Sequence, residues 1–100
     1  MDTLNTKAIA RAVAECAKPY PVREAYLFGS RARGDNDEAS DIDLCIECNR
    51  GFTLFSLDSF ARKLEAMLGR PVDIVCGEDS FYPRARERYL KDRLMVYTQS

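Results

Sequence analysis

The sequence predicts a single α/β (α+β) domain: a small mixed β-sheet with helices packed on it. Three observations carry this. Runs with apolar residues at helical spacing take turns with short runs that alternate apolar and polar residues. Pro and Gly stand at the boundaries between them. The chain has 100 residues, the length of one compact domain, and 46% of them are hydrophobic, enough for a core of its own.

Residues 4–17 place Ile9, Ala12, Val13 and Cys16 on one helical stripe, with Asp2, Thr3 or Asn5 as its cap and Pro19 and Pro21 beyond its end. Residues 22–28 read as a strand ending on buried Tyr26, Leu27 and Phe28. Residues 29–40 read as a loop or short helix with a turn-rich tail, Gly34-Asp35-Asn36-Asp37. Residues 41–48 form a second strand, with Ile42, Leu44 and Ile46 on one face and Asp41, Asp43 and Glu47 on the other. Residues 54–68 are a helix whose stripe is Leu57, Phe60, Ala61, Leu64 and Leu68, stopped by Gly69 with Pro71 beyond. Residues 72–76 are a third strand, in which Asp73 faces away from Val72 and Ile74. Ser80 is the expected cap of a last helix over 83–93, with Pro83 in its first turn, and 95–98 return as a short strand.

The charge balance is uneven along the chain. Net charge is −1, which disfavours wholesale nucleic-acid binding. Residues 1–80 hold ten basic and fourteen acidic side chains, whereas residues 81–100 hold five basic and two acidic. A basic segment therefore sits on an acidic body: a solvated helix face, or a surface for a phosphate, a nucleic acid or an acidic partner. The N-terminus lacks a basic start followed by an apolar run, and no segment nears the ~20 apolar residues that span a bilayer. The expected location is the cytoplasm, without a membrane partner. Four cysteines accompany no histidine. Cys45 and Cys48 fit C-x-x-C, but on a strand they point to opposite faces, so zinc or redox roles are disfavoured against buried free thiols.

Chemistry concentrates in the stretch GSRARGDNDEASDIDL, residues 29–44. Asp41 and Asp43 share one face of a strand, and two adjacent carboxylates repel unless a proton or a metal separates them. Asp-x-Asp thus suits a hard divalent cation such as magnesium, which keeps positions open for water and substrate phosphates. Asp73, an acid in the otherwise apolar run Pro71-Val72-Asp73-Ile74-Val75, could complete the site. Taken alone, the alternation also describes a strand with one wet face. Gly29-Ser30, directly after a strand, shifts the weighing. Glycine admits close backbone approach, exposed amides form an anion site, and the serine hydroxyl adds a donor. Arg31, and more weakly Arg33, could neutralise a polyphosphate.

Gly29-Ser30, ten intervening residues, Asp41-Ile42-Asp43 and a later Asp73 together resemble the nucleotidyltransferase superfamily of DNA polymerase β type. The small size and the wording GSRARG…SDIDL are similar to its minimal nucleotidyltransferases, the MntA-like antitoxins paired with HEPN-domain toxins. The resemblance spans about Val22 to Tyr97. It implies the nucleotidyltransferase fold, with Gly29 and Ser30 holding a triphosphate and Asp41, Asp43 and Asp73 binding two magnesium ions. It implies transfer of AMP from ATP to a hydroxyl, a tyrosine's, on the partner toxin, with loss of pyrophosphate. A chain without the second domain of larger members needs a partner, so a homo- or hetero-oligomer is compatible with it.

Three other readings stand beside this one: an antitoxin that neutralises its toxin by covering it, with the metal site idle; nucleotidyl transfer to a small molecule, disfavoured by the missing acceptor domain; and a nucleic-acid module built on residues 84–93, disfavoured by the overall charge. Tyr82, Tyr89 and Tyr97 are candidates for a partner surface, with packing the expected role of at least two of them.

Overall fold

The computed structural model describes residues 4–37 and 40–99. Its elements run α1 (Thr6–Ala17), β1 (Val22–Phe28), α2 (Ser30–Arg33), β2 (Ile42–Cys48), α3 (Leu54–Leu68), β3 (Val72–Cys76), a 3-10 turn (Glu78–Ser80), α4 (Pro83–Asp92) and β4 (Leu94–Thr98). The strands form one sheet in the order β3-β2-β1-β4. β1 runs antiparallel to both β2 and β4, whereas β2 and β3 are parallel, so the sheet is mixed. A parallel pair requires a crossover, and α3 supplies it.

Local chemistry sets the boundaries. The Asn5 side chain accepts from the Ala8 amide at 2.8 Å and fixes the start of α1, while the alternative caps Asp2 and Thr3 lie outside the described residues. Thr53 and Ser56 form a reciprocal capping box at the start of α3. Gly69 ends that helix in the left-handed region, donating its amide to the Glu65 carbonyl, as its position in sequence implies. The expected cap at Ser80 is not found. The Ser80 hydroxyl donates instead to the Cys76 carbonyl at 2.6 Å and closes the 3-10 turn, and α4 begins after Tyr82 with Pro83 as its first residue. The cause is the turn itself, which places Ser80 too early to reach the amides of α4.

The two faces of the sheet carry different layers. On one, α1 and α3 cover Ala25, Leu27, Ile42, Leu44, Ile46, Val72 and Val96, with Ile9, Val13, Phe60 and Leu64 completing the core. Ile42, Leu44, Ile46, Phe60 and Leu64 are wholly buried, as their periodicity predicts, and so are Leu27 and Ala25, whereas Phe28, expected to be buried, is only half-buried. Truncating Phe60 to Ala would cost about 3–5 kcal/mol. On the other face α4 lays Tyr89 against Tyr26 and Cys45, with Phe28, Val75 and Phe81 around them. Cys45 thus faces α4, while Cys48 packs on the α1–α3 side, the opposite orientation expected of the pair. Tyr89 is buried and Tyr97 packs against the main core, so only Tyr82 of the three tyrosines stands well out from the surface. No described helix is long and apolar enough to cross a membrane.

Candidate active site

The site sits where β1 ends, on the α4 side of the sheet. Asp43 shares this side with Cys45 by strand alternation, and Asp73 shares it with Val75. Asp43 and Asp73 are direct register partners across the parallel β2–β3 pair. Asp41 precedes β2 by one residue and is exposed. Its charge, like that of Asp73, reaches Asp43. The Asp43 carboxyl is held above the ordinary carboxylate range, first by burial, then by Asp73 and Asp41, with Arg33 opposing. Of the three acids singled out in the sequence, Asp43 and Asp73 are paired in register, and Asp41 lies near enough for its charge to act on Asp43.

Gly29 closes the site from β1. It adopts φ 75°, ψ −155°, a region open essentially to glycine alone. A Cβ here would stand 2.5 Å from Oδ2 of Asp43. The turn thus passes directly over the carboxylate, with Phe28, the cross-strand partner of Asp43, beside it. Ser30 opens α2, and the Gly29 carbonyl accepts from the amides of Ala32 and Arg33 at 3.1 Å each. Gly34 in the left-handed region ends the helix after one turn.

Arg31 is placed differently from expectation. It is only 6% exposed, and its guanidinium donates through Nε and a terminal nitrogen to the Ser40 carbonyl at 3.2 and 3.0 Å, and to the Leu4 carbonyl at 3.4 Å. It anchors the residue before Asp41 to the start of the chain. The phosphate contact expected of it conflicts with this burial. Arg33, two residues on, is exposed, pairs with Asp35 at 3.1 Å and lines the hollow beside Gly29.

That hollow, about 150 Å³, is walled by Phe28, Phe81, Ala85 and Tyr89, with Arg33, Arg88 and Asp92 as its charged lining. Phe81 and Tyr89 stack at 4.7 Å, and both meet Phe28 edge-on, at 5.2 and 5.4 Å. The Tyr89 hydroxyl lies against Cys45 and Arg93 without closing a well-formed hydrogen bond. This aromatic wall was not singled out by the sequence. Phe81 carries no local signal, and its placement depends on the 3-10 turn.

The donor set suits magnesium. Among the described residues no three acidic or thiol side chains close into a self-contained cation cage. Magnesium does not need one: it is commonly held by one or two carboxylates, with waters and substrate phosphates completing the octahedron. Two register-paired aspartates and a side-chain-free approach at Gly29 match that demand.

Comparison with known proteins agrees with the geometry. The chain is 32% identical over 93 residues to a Methanocaldococcus jannaschii protein named "Putative protein adenylyltransferase MJ0435", covering 93% of this chain and 99% of that one. A solved minimal nucleotidyltransferase is 32% identical and superposes with a TM-score of 0.76, over 94% of this chain and 98% of that one. A chain from a Shewanella oneidensis complex of a tri-AMPylated HEPN toxin with an MNT antitoxin shares the fold, with a TM-score of 0.68 over 94% of this chain and 73% of that one, at 17% identity. Residues 9–100 match the family described as "Nucleotidyltransferase domain". A Gly-Ser turn over a strand-borne aspartate, paired in register with a third acid, is thus found on a chain that belongs to the nucleotidyltransferase domain family, and the protein is a nucleotidyltransferase.

Proposed function

We propose that this protein transfers AMP from ATP to a tyrosine hydroxyl of a partner HEPN toxin, and thereby acts as its antitoxin. The reading rests on the contact between Gly29 and Asp43: a turn shaped for phosphate passes over a carboxylate shaped for a cation. The relatives support it, since one is named a protein adenylyltransferase and a fold neighbour comes from an AMPylated HEPN toxin complex.

In this reading Gly29 and Ser30 hold the triphosphate, and Arg33 balances its charge. Asp41, Asp43 and Asp73 hold magnesium, two ions being expected. When bound, magnesium supplies charge neutralisation on the triphosphate and a lower pKa for the attacking hydroxyl. The hydroxyl oxygen bonds to the α-phosphorus, the bond from that phosphorus to the bridging oxygen breaks, pyrophosphate leaves, and the hydroxyl proton is released on the Asp73 side. Asp43, held under Gly29, would hold the cation close to the phosphates that Gly29 and Ser30 bind. The aromatic wall of Phe28, Phe81 and Tyr89 excludes water from one side, which strengthens the electrostatics of the site.

The test uses ATP labelled at the α- or the γ-phosphate, a HEPN toxin carrying the acceptor tyrosine, and magnesium. Label from α but not γ, lost with EDTA and with Asp43→Asn, is expected. If Asp43→Asn neutralises the toxin as well as the parent chain does, the protein works by covering its toxin and the transfer reading is wrong.

A further inference from the structure

The basic segment noted in the sequence divides into two sets. Arg86 and Arg93 turn toward the 3-10 turn and the sheet: Arg86 pairs with Glu78 at 2.8 Å, and Arg93 lies over the Tyr26 ring at 4.1 Å. They hold α4 in place. Arg84, Arg88 and Lys91 lie at i, i+4 and i+7, one stripe of the same helix about 10 Å long. All three are exposed and form no ion pair with a described residue. With Arg33 they line an open groove of about 630 Å³ that also contains Glu87 and Asp92. Arg33 and Arg88 line the hollow beside Gly29 as well, so the groove runs into the candidate active site.

We propose that this groove docks an acidic segment of the acceptor protein and so selects hydroxyls with acidic surroundings. The proposal rests on the transfer reading above and names the class of its substrate. Four cations against Glu87 and Asp92 leave the groove lining with an excess of two positive charges, which a partner's carboxylates can match. The two interleaved acids argue for a polypeptide over a polyphosphate or a nucleic-acid backbone. A chain of like charges would be repelled at Glu87 and Asp92, whereas a peptide can present a Lys or an amide there. Continuity with Gly29 brings the docked segment within reach of the transferred group.

The experiment uses the full chain and three fluorescent probes: a peptide with one tyrosine flanked by glutamates, the same peptide with glutamines, and a single-stranded RNA. Binding is read by anisotropy, which needs no turnover. The glutamate peptide should bind about tenfold or more tighter than the glutamine peptide, and added salt should weaken it. Arg84→Glu with Lys91→Glu should abolish the preference while the fold, by circular dichroism, and the affinity for a non-hydrolysable ATP analogue stay unchanged. The preference should reappear as labelling rate with α-labelled ATP. No preference between the peptides, tighter binding of the RNA, or loss of nucleotide affinity in the double variant would each overturn the proposal. Preserved peptide preference without labelling would sink the transfer reading and keep the docking surface.

Discussion

The Cβ position of Gly29 falls 2.5 Å from Oδ2 of Asp43, so the turn and the carboxylate cannot both stay in place if any side chain is added. Gly29→Ala should therefore do two things. It should cost about 1–3 kcal/mol through the strained backbone. It should also push the Asp43 carboxylate aside and reduce transfer to background. Gly34→Ala separates these effects. Gly34 also has positive φ, but a Cβ there would meet nothing within 4 Å. The expected result is lower thermal stability for both variants and lost α-phosphate labelling for Gly29→Ala alone.

Asp43→Asn should stabilise the protein at neutral pH while removing activity. The native Asp43 carboxyl is raised above its ordinary value by burial and by Asp73 and Asp41. Between the unfolded and native values the folded state binds more protons, so stability falls as pH rises through that window. Above it the full cost of the charge is present, and below about pH 4 it vanishes. Asparagine never carries that charge. Melting temperatures measured in EDTA should favour the variant near pH 7 and converge toward pH 3.5. Equal melting temperatures at pH 7 would contradict the burial of the Asp43 carboxyl and the influence of Asp73 and Asp41 on it.

The thiols give a pH-dependent check on the faces of β2. Cys48 is pushed up to about 12 by burial first and then by Cys76, while Cys76 is exposed and Cys16 and Cys45 are buried. Alkylation of the native protein near neutral pH should mark Cys76 first, with Cys48 slow until strongly alkaline pH. Fast paired labelling of Cys45 and Cys48 would contradict their opposite orientation.

Much of the site was legible because its pieces are local. Gly29-Ser30 follows a strand directly, and alternation along β2 sets Asp43 opposite Ile42 and Leu44, whereas Asp41, expected on the same strand face, precedes the strand by one residue. That Asp73 becomes the register partner of Asp43 required the β2–β3 pairing, for which the sequence offered only an acid in an apolar run. Ser80 misled because a serine before a helix reads as a cap, whereas the local 3-10 turn gave its hydroxyl to the Cys76 carbonyl four residues back. The burial of Arg31 was not legible for a related reason. Its neighbourhood in sequence is phosphate-like, but helix geometry over Ser30–Arg33 sends residues 31 and 33 in different directions.

That divergence yields a paired test of the two arginines. Arg31 is buried and bonded to the Ser40 and Leu4 carbonyls. Arg31→Met should leave those carbonyls without their partner at a cost of about 1–3 kcal/mol. Arg33 is exposed beside Gly29, so Arg33→Met should change stability by less than about 0.5 kcal/mol. Its effect should fall on ATP, as a raised KM in the labelling assay, because its charge faces the phosphates in the proposed reading. Arg31→Met, once corrected for unfolded protein, should keep its KM for ATP. If instead Arg31→Met raises the KM without lowering the melting temperature, Arg31 touches the nucleotide, and its bonds to the carbonyls give way when ATP binds.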